Sequence, residues 1–405
     1  MMCLSSRLMY EAAEARTMKF EYSSSRTDVR FGRGRREETG EVAAEYGDTA
    51  LVVTTRNAMQ DAGFLDDVLT SLEGAGVDAE VFDGVQPNPT VENVIETIEA
   101  AGDADVVVAL GGGSPTDTAK AAAMSLATFD GTPNRADVWE YVSGESAIEE
   151  ALPLVVLPST SGTGSHVDPW SVVTYTDEDA KVGFGDDVLV PQEAVVDPEI
   201  LDEMPATLAA RTGFDAFCHL NESYVAEGAD ALTDAQALRG MELVDRHLSG
   251  SVEGSSEARD AMAVADTFAG FCETTSGVVA THAIAHAISA FEPDVAHGDA
   301  LAAVASEVAR YNVENGDDET KRRYGEVAET LGAPIADRKL DAPLVVDAMD
   351  ELVADLGLEG SVGELVDASP EALAENAATY MGMALENNPV EVEKEDLVGI
   401  IENAY

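Results

Sequence analysis

The stretch Val106-Val107-Val108-Ala109-Leu110-Gly111-Gly112-Gly113-Ser114 runs directly from apolar residues into three glycines. A run that is apolar at every position predicts a strand buried on both faces, as in a parallel sheet. The glycines let the backbone approach an anion closely, and a helix starting beside them would offer unpaired N–H groups. The stretch therefore predicts a strand, a pyrophosphate-binding turn and a helix. A tight turn with a capping serine is the alternative.

Further strands and helices alternate on both sides of this stretch. Strands are expected at 51–54, 79–82, 105–110 and 154–157, with a helix from about Asn57. This alternation predicts βαβ units and a mainly parallel sheet. Shorter runs at 172–175, 181–184 and 194–196 are expected to form an antiparallel addition.

Hydroxyls and glycines follow the 154–157 strand, from Ser159 to Ser165. They lie where the carboxyl end of a strand in an α/β sheet binds ligands. Taken alone, this segment is more typical of a solvent-exposed loop.

Strand signals stop after Asp197-Pro198, and alanine-rich amphipathic helices follow. Interruptions are expected near Gly213, at 250–254, and near Pro293, Gly316 and Gly332. The predicted organisation is an α/β domain over residues 18–203 and an all-helical domain over residues 204–405.

Five of the six histidines lie in the helical part, and four of them, His219, His282, His286 and His297, form the group that matters here. Asp215 and His219 are four residues apart, as are His282 and His286, so each pair would share one face of a helix. His297 would come from a loop or a helix start. A site of one carboxylate and three imidazoles suits zinc or ferrous iron. The group contains one histidine more than such a site needs. Surface or capping histidines are the alternative, but so close a grouping favours a metal site.

The charge balance is extreme, with 78 acidic and 23 basic side chains and a net charge of −55 over 405 residues. The acids are spread along the chain, and molar salt shortens the screening length to about 3 Å. We therefore expect a halophilic, cytoplasmic protein. Nucleic acid is excluded as a partner because its binding requires clustered basic residues.

The cysteines and the apolar runs indicate the cellular compartment and the class of protein. Cys3, Cys218 and Cys272 make no disulfide framework and indicate a reducing compartment. No apolar run approaches the roughly 20 residues that span a bilayer, which excludes a membrane protein. Residues 1–17 are expected to be a disordered extension, with Met18 as a more typical start.

Taken together, these segments resemble the iron-containing (group III) alcohol dehydrogenases over nearly the whole chain from Met18. The matching segments are Phe31-Gly32-Arg33-Gly34, Pro87-Asn88-Pro89-Thr90, Gly111–Ser114 with Asp117 and Lys120, Thr160–Ser165, Lys181, Asp197-Pro198, Thr212–Ala216 with His219 and Glu222, His282–His286, His297-Gly298 and Asn388-Pro389.

The resemblance implies a dinucleotide-binding α/β domain and an all-α metal-binding domain, an architecture similar to that of dehydroquinate synthase, with the active site between them. It implies metal ligation by Asp215, His219, His282 and His297. His286 is then the additional histidine, which orients the substrate or passes a proton. The implied cofactor contacts are Asn88, Gly112, Gly113, Ser114, Asp117, Ser159, Thr160, Thr163 and Lys181.

The activity implied by the resemblance is hydride transfer between a small alcohol or aldehyde and NAD(P)(H), with Fe²⁺ or Zn²⁺ polarising the substrate oxygen. A homo-oligomer, a dimer or larger, is expected. Dehydroquinate synthase and glycerol-1-phosphate dehydrogenase share the architecture and are the alternatives. A phosphorylated substrate would need several cations, and the metal region has few.

Two departures from the family pattern bear on specificity. An aspartate commonly follows the first strand and holds the adenosine ribose, but here Thr55 and Arg56 occupy this region. This change favours NADP(H) over NAD(H). The second departure is a set of changes: His166 replaces the usual glutamate after Gly-Thr-Gly-Ser, Ala287 and Ser289 replace the usual Pro and Gly, and the His282–His297 spacing is one residue longer than typical. We expect these changes together to reshape the substrate side, so the resemblance does not give the substrate.

Overall fold

The computed structural model describes residues 26–176 and 180–405, so the expected extension at 1–17 and Cys3 lie outside the described residues. The strands are β1 Asp28–Phe31, β2 Thr49–Thr55, β3 Asp78–Val85, β4 Val106–Gly111, β5 Leu154–Pro158, β6 Trp170–Tyr175, β7 Ala180–Gly185 and β8 Glu193–Val196. The helices of the first half are α1 Thr39–Ala43, α2 Ala58–Asp61, α3 Phe64–Ala75, α4 Val91–Ala100, α5 Gly113–Thr128, α6 Arg135–Val142 and α7 Pro198–Leu201. Those of the second half are α8 Ala206–Val225, α9 Ala231–Val252, α10 Ser256–Ser276, α11 Ala280–Phe291, α12 His297–Asn315, α13 Asp318–Thr330, α14 Leu344–Leu356, α15 Val362–Leu365, α16 Pro370–Tyr380, α17 Gly382–Glu386 and α18 Lys394–Asn403.

A six-stranded parallel sheet forms the first half, in the order β1-β8-β5-β4-β2-β3. Every residue of β4 is buried, as its uninterrupted apolar run predicts. From β2 the chain passes to β3 on one side and then returns to β4 on the other. The crevice at the carboxyl ends of β2 and β4 is therefore a topological switch point, where sheets of this kind bind ligands.

The antiparallel addition is smaller than the sequence suggests. Strands β6 and β7 form a two-stranded antiparallel hairpin, as expected. Assigning 194–196 to this addition was wrong, because β8 pairs in parallel with both β1 and β5 in the main sheet. All four residues of β8 are buried, so its apolar run is that of an interior strand.

The second half is helical, and its core lies where α8, α9, α10, α11 and α12 pack together. Gly213 does not interrupt a helix as expected, but lies within α8. A Cβ at Gly213 would come within 2.1 Å of Leu248 Cδ1 on α9. The glycine therefore permits close packing of two helices. None of the helices among the described residues is long and apolar enough to cross a membrane.

Two of the contacts between the halves involve helix α10. Gly164 has φ +65°, and a Cβ there would lie 2.3 Å from the Cα of Gly270 on α10, so this loop packs directly on the helix. The buried guanidinium of Arg259, also on α10, donates to the carbonyl of Leu201 and, at 2.7 Å, to that of Met204. These carbonyls belong to the segment that joins the two halves.

Candidate active site

A cavity of about 1230 Å³ lies between the carboxyl edge of the sheet and helices α8, α10, α11 and α12. Every site residue predicted from the sequence lines it. These are Asn88, Gly112, Gly113, Ser114, Asp117, Ser159, Thr160, Thr163 and Lys181 for the cofactor, Asp215, His219, His282 and His297 for the metal, and His286. The structure thus brings all of them to one space, and their individual roles stay predictions.

The glycine turn packs directly against the hydroxyl-rich loop in the wall of this cavity. Gly112 precedes α5, and Gly113 is its first residue. A Cβ on Gly112 would lie 2.9 Å from the Thr160 side chain, and one on Gly113 would lie 2.9 Å from Thr163 Cγ2. Only backbone fits at these two positions. The first N–H groups of α5 have no partner within the helix, so the turn can hold a pyrophosphate.

Lys181 brings a cation to the same cavity from β7. Its Nζ donates to Asn88 Oδ1 at 3.0 Å, and Asn88 Nδ2 donates to the Pro293 carbonyl at 2.6 Å. Burial lowers the pKa of Lys181 to about 8. Burial also raises the pKa of Asp117 to about 8, against the pull of Lys120. The electrostatics of this end of the cavity therefore change near pH 8.

Three potential metal donors meet at the other end. The donor atoms of Asp215, His282 and His297 all lie within 4.8 Å of one another. Asp215 Oδ1 is 3.6 Å from His282 Nε2 and 3.7 Å from His297 Nε2. Two donors of one tetrahedral ion at metal–ligand distances of 2.0–2.2 Å would be about 3.4 Å apart. Asp215 Oδ1 and His282 Nε2 are buried and have no hydrogen-bond partner among the described residues. The set therefore fits a divalent cation.

His219, the fourth predicted ligand, lies beside this compact group. Its ring lies against that of His282, with centroids 4.4 Å apart and ring planes tilted by 35°. Its Nδ1 lies 3.6 Å from Asp215 Oδ1 and donates to the Gly162 carbonyl at 3.1 Å. Because Nδ1 carries the proton, Nε2 has the free lone pair that a metal ligand needs.

His286 is the histidine outside the predicted metal set, as the resemblance implies. Its ring centroid lies 5.3 Å from that of His297 and 6.4 Å from that of His282. Burial and the nearby Lys181 hold the pKa of His286 well below its usual range, so the ring is neutral. Its Nδ1 is buried and has no hydrogen-bond partner among the described residues.

Glu222 is a functional residue that the predicted site set lacks. It lies on α8 and is completely buried. His282 Nδ1 donates to Glu222 Oε1 at 2.7 Å, which directs Nε2 toward Asp215. Burial lowers the pKa of His282, but the carboxylates of Glu222 and Asp215 outweigh burial and raise it to about 10. The spacing of two helical turns from Asp215 was the available signal.

Glu273 is the second residue missing from the predicted set. It lies near the end of α10 and lines the cavity, with Oε2 3.4 Å from His219 Nε2. By contrast, His166 is not part of the cavity wall. It is buried, and its Nε2 lies 2.9 Å from Thr267 Oγ1 on α10. His166 therefore has no direct contact with the cavity, and whether it changes the substrate side stays a prediction.

Comparison with protein families agrees with this architecture in both halves. Residues 26–198 match the model for iron-containing alcohol dehydrogenase, and residues 209–405 match that for the C-terminal part of the same family. The chain belongs to the iron-containing alcohol dehydrogenase family. It is therefore an oxidoreductase of the metal-dependent alcohol dehydrogenase and aldehyde reductase type, and the predicted fold class is confirmed.

Relatives of this family match the chain over nearly its full length. Lactaldehyde reductase of Escherichia coli is 32% identical over 381 residues, covering 93% of this chain and 97% of that protein. An alcohol dehydrogenase described as archaeal, halo-thermophilic and from a Red Sea brine pool superposes with a TM-score of 0.91 at 38% identity, covering 96% of this chain and 99% of that one. For a 1,3-propanediol oxidoreductase the TM-score is 0.85 at 28% identity, with 96% and 100% covered.

Proposed function

We propose that Asp215, His219, His282 and His297 hold one Fe²⁺ or Zn²⁺, and that NADP(H) or NAD(H) lies along the glycine turn with a small alcohol or aldehyde between them. The observation that carries this proposal is that the Asp215–His282–His297 group and the glycine turn line one cavity. When bound, the ion supplies Lewis acidity to the substrate oxygen, and the nicotinamide supplies hydride transfer.

The protein's own residues then have separate tasks. Glu222 holds His282 in one tautomer and orientation. The start of α5 and the Lys181 cation favour the negatively charged cofactor. Neutral His286 orients the substrate or passes its hydroxyl proton toward solvent. The cavity walls exclude water from the reacting atoms.

The cations of the cavity argue against a phosphorylated substrate. Lys181 and Arg211 are the Lys and Arg side chains that line it among the described residues. Arg211 Nη2 is already paired with Asp299 Oδ2 at 2.6 Å. A phosphate ester would find few free partners at the metal end, which supports an uncharged alcohol.

The decisive experiment is His297→Ala, with His247→Ala on α9 as the matched control. The first variant should lose bound metal and turnover, while cofactor binding, followed by quenching of protein fluorescence, stays within about threefold. His247 does not line the cavity, so its variant should keep metal and rate. Wild-type metal content and rate in His297→Ala would contradict the assignment.

We also propose that NADP(H) is the preferred cofactor. Thr55, the last residue of β2, lines the cavity, and its neighbour Arg56 is exposed. A neutral side chain at this position does not repel a 2′-phosphate, whereas an aspartate would.

The acidic surface supports a halophilic, cytoplasmic enzyme. The net charge of −55 would oppose folding at low ionic strength through self-repulsion. We further propose a homo-oligomer, a dimer or larger. The exposed edge strand β1, with Val29 and Phe31 partly open to solvent, supports this.

A further inference from the structure

The loop that follows β5 contacts both ends of the cavity. On one side, its Thr160 and Thr163 side chains pack against the glycine turn, where added Cβ atoms would come within 2.9 Å. On the other side, the Gly162 carbonyl accepts the 3.1 Å hydrogen bond from Nδ1 of His219. A shift of this loop would therefore act on the cofactor end of the cavity and on a proposed metal ligand at the same time.

Asp266 holds this loop on α10. It is buried, lies outside the lining of the cavity, and accepts a 2.7 Å hydrogen bond from the backbone N–H of Gly164 through Oδ1. Gly270, which packs against Gly164, lies four residues further along the same helix. Residues four apart share one face of a helix, so Asp266 and Gly270 meet the loop together. The loop is therefore fixed on α10 by one polar contact and one packing contact.

The hydrogen bonds to Asp266 and from His219 lie on successive peptide groups of the loop. Asp266 Oδ1 accepts from the peptide that joins Thr163 to Gly164. His219 Nδ1 donates to the peptide that joins Gly162 to Thr163. Each peptide group is planar, so only the two backbone torsions of Thr163 separate the two contacts. The position of the Gly162 carbonyl therefore depends on the contact that Asp266 makes.

The surroundings of Asp266 favour a neutral carboxyl group. Burial raises its pKa well above the usual range, against the effect of the Gly164 N–H. The second oxygen, Oδ2, lies 3.7 Å from Nδ1 of His166, whose pKa burial lowers to about 3. The neutral His166 ring donates from Nε2 to Thr267 Oγ1 at 2.9 Å, because the proton of that hydroxyl is used within α10, and Nδ1 carries a lone pair. A lone pair facing Oδ2 disfavours a carboxylate, so Asp266 holds the loop as an acceptor without a charge.

We propose that Asp266 is a positioning residue, which fixes the loop at Gly164 and thereby the Gly162 carbonyl that orients His219. The inference rests on the proposed function, in which His219 is a metal ligand. A carbonyl held in place keeps the proton of His219 on Nδ1 and the lone pair on Nε2, as a ligand requires. The effect of Asp266 on a metal ion should therefore pass through His219 alone.

The first test is titration of the metal-free protein with Zn²⁺ in molar KCl, followed by calorimetry. Asp266→Ala removes the acceptor of the Gly164 N–H, and its Kd for Zn²⁺ should be about tenfold higher than that of the wild type. Asp266→Asn keeps an acceptor oxygen without a charge, so its Kd should stay within about twofold. Asp245→Ala, at an exposed position on α9, is the control and should leave the Kd unchanged.

A double-mutant cycle separates positioning from general destabilisation. If Asp266 acts through His219, then Asp266→Ala should have no further effect on the Kd in the His219→Ala background, where the three other donors remain. A purely structural role would lower the affinity by the same factor in both backgrounds. Asp266→Leu, which leaves no cavity, replaces the alanine variant in both measurements if that variant is not recovered folded.

Three results would overturn the inference while leaving the proposed function intact. A wild-type Kd in Asp266→Ala would show that the loop keeps its place without this contact. Additive effects of Asp266→Ala and His219→Ala would limit Asp266 to supporting the fold. An Asp266→Asn variant as weak as Asp266→Ala would assign the effect to charge and not to the hydrogen bond. By contrast, a wild-type protein that binds no Zn²⁺, or a His219→Ala variant with the wild-type Kd, would contradict the proposed metal site itself.

Discussion

Glu222 Oε1 accepts a 2.7 Å hydrogen bond from Nδ1 of His282, inside the core of the helical half. The other carboxylate oxygen accepts from the backbone N–H of Val279 at 2.7 Å, at the start of α11. One buried carboxylate therefore fixes both the helix that carries His282 and the direction of its ring. We expect the proposed metal site to depend on this second layer of contacts as well as on its ligands.

Glu222→Gln should weaken metal binding about 10- to 100-fold, because the uncharged amide makes Nε2 of His282 a weaker electron-pair donor to the metal. Isothermal titration of the metal-free protein with Zn²⁺ measures this directly. Glu227→Gln, just beyond α8 and exposed, is the matched control. Equal affinities in the two variants would show that Glu222 only supports the fold.

Thr55→Asp should change the cofactor preference toward NAD(H). The new carboxylate would repel a 2′-phosphate and accept from the ribose hydroxyls. We expect the ratio of kcat/KM for NADP⁺ to that for NAD⁺ to fall by about tenfold or more, which is about 1.4 kcal/mol. Thr70→Asp, on the exposed side of α3, adds the same charge and should have no effect. A ratio that stays constant would remove Thr55 from the cofactor site.

Cofactor affinity should fall as the pH rises through 8. Below this pH Lys181 is charged and Asp117 is protonated, because burial brings the pKa of each to about 8. Above it the lysine loses a positive charge and the aspartate gains a negative one, and both changes disfavour an anionic cofactor. The Kd for NADPH, measured from the fluorescence of NADPH, should be roughly tenfold higher at pH 9.5 than at pH 7. Lys181→Met should show a flatter profile, and a wild-type Kd independent of pH would contradict the assignment.

The contact between Gly164 and Gly270 should tolerate no side chain. A Cβ on Gly270 would meet the Gly164 carbonyl oxygen at 2.4 Å, so Gly270→Ala should reduce the free energy of unfolding by about 1–3 kcal/mol. Gly399→Ala in α18 is the control, since nothing lies within 4 Å of its added Cβ. That variant should be neutral or slightly stabilising. Thermal unfolding in molar KCl compares the two, and equal midpoints would show that the loop can move away from α10.

Salt should stabilise the protein through screening. The midpoint of thermal unfolding and the turnover rate should both rise from 0.1 M to 2 M KCl, because the screening length falls from about 10 Å to a few ångströms. Sucrose at matched osmolality also favours compact states but does not screen charge. If sucrose reproduced the effect of KCl, or if activity were highest in dilute buffer, the halophilic interpretation would be wrong.

Local patterns in the sequence predicted the strand, turn and helix around Gly112 because burial on both faces leaves an uninterrupted apolar run. The run at 194–196 is also apolar throughout, so the same rule predicts a buried strand for β8. Its short length instead led to the prediction of an antiparallel addition. β1 was missed because it is a four-residue edge strand with partly exposed side chains. Gly213 was misread because its reason is contact with Leu248 on another helix, which no local pattern shows.

For the site, helical spacing and family resemblance indicated residues that now share one cavity. Glu222 and Glu273 lay outside the predicted set for a different reason. Each matters through a partner about 50 to 60 residues away in the chain, namely His282 for Glu222 and His219 for Glu273. The spacing from Asp215 was a signal for Glu222, whereas nothing in the sequence indicates the partner of Glu273.

Arg259 has a consequence for how the enzyme exchanges cofactor. Its buried guanidinium donates hydrogen bonds to the carbonyls of Leu201, Met204 and, at 3.3 Å, Ser251. The bonds to Leu201 and Met204 hold the segment that joins the two halves against α10. A hinge at this connection would leave several buried acceptors unpaired, at a cost of about 1–3 kcal/mol each. We therefore expect the cofactor to be exchanged without a hinge motion at this connection, with the two halves keeping their mutual orientation.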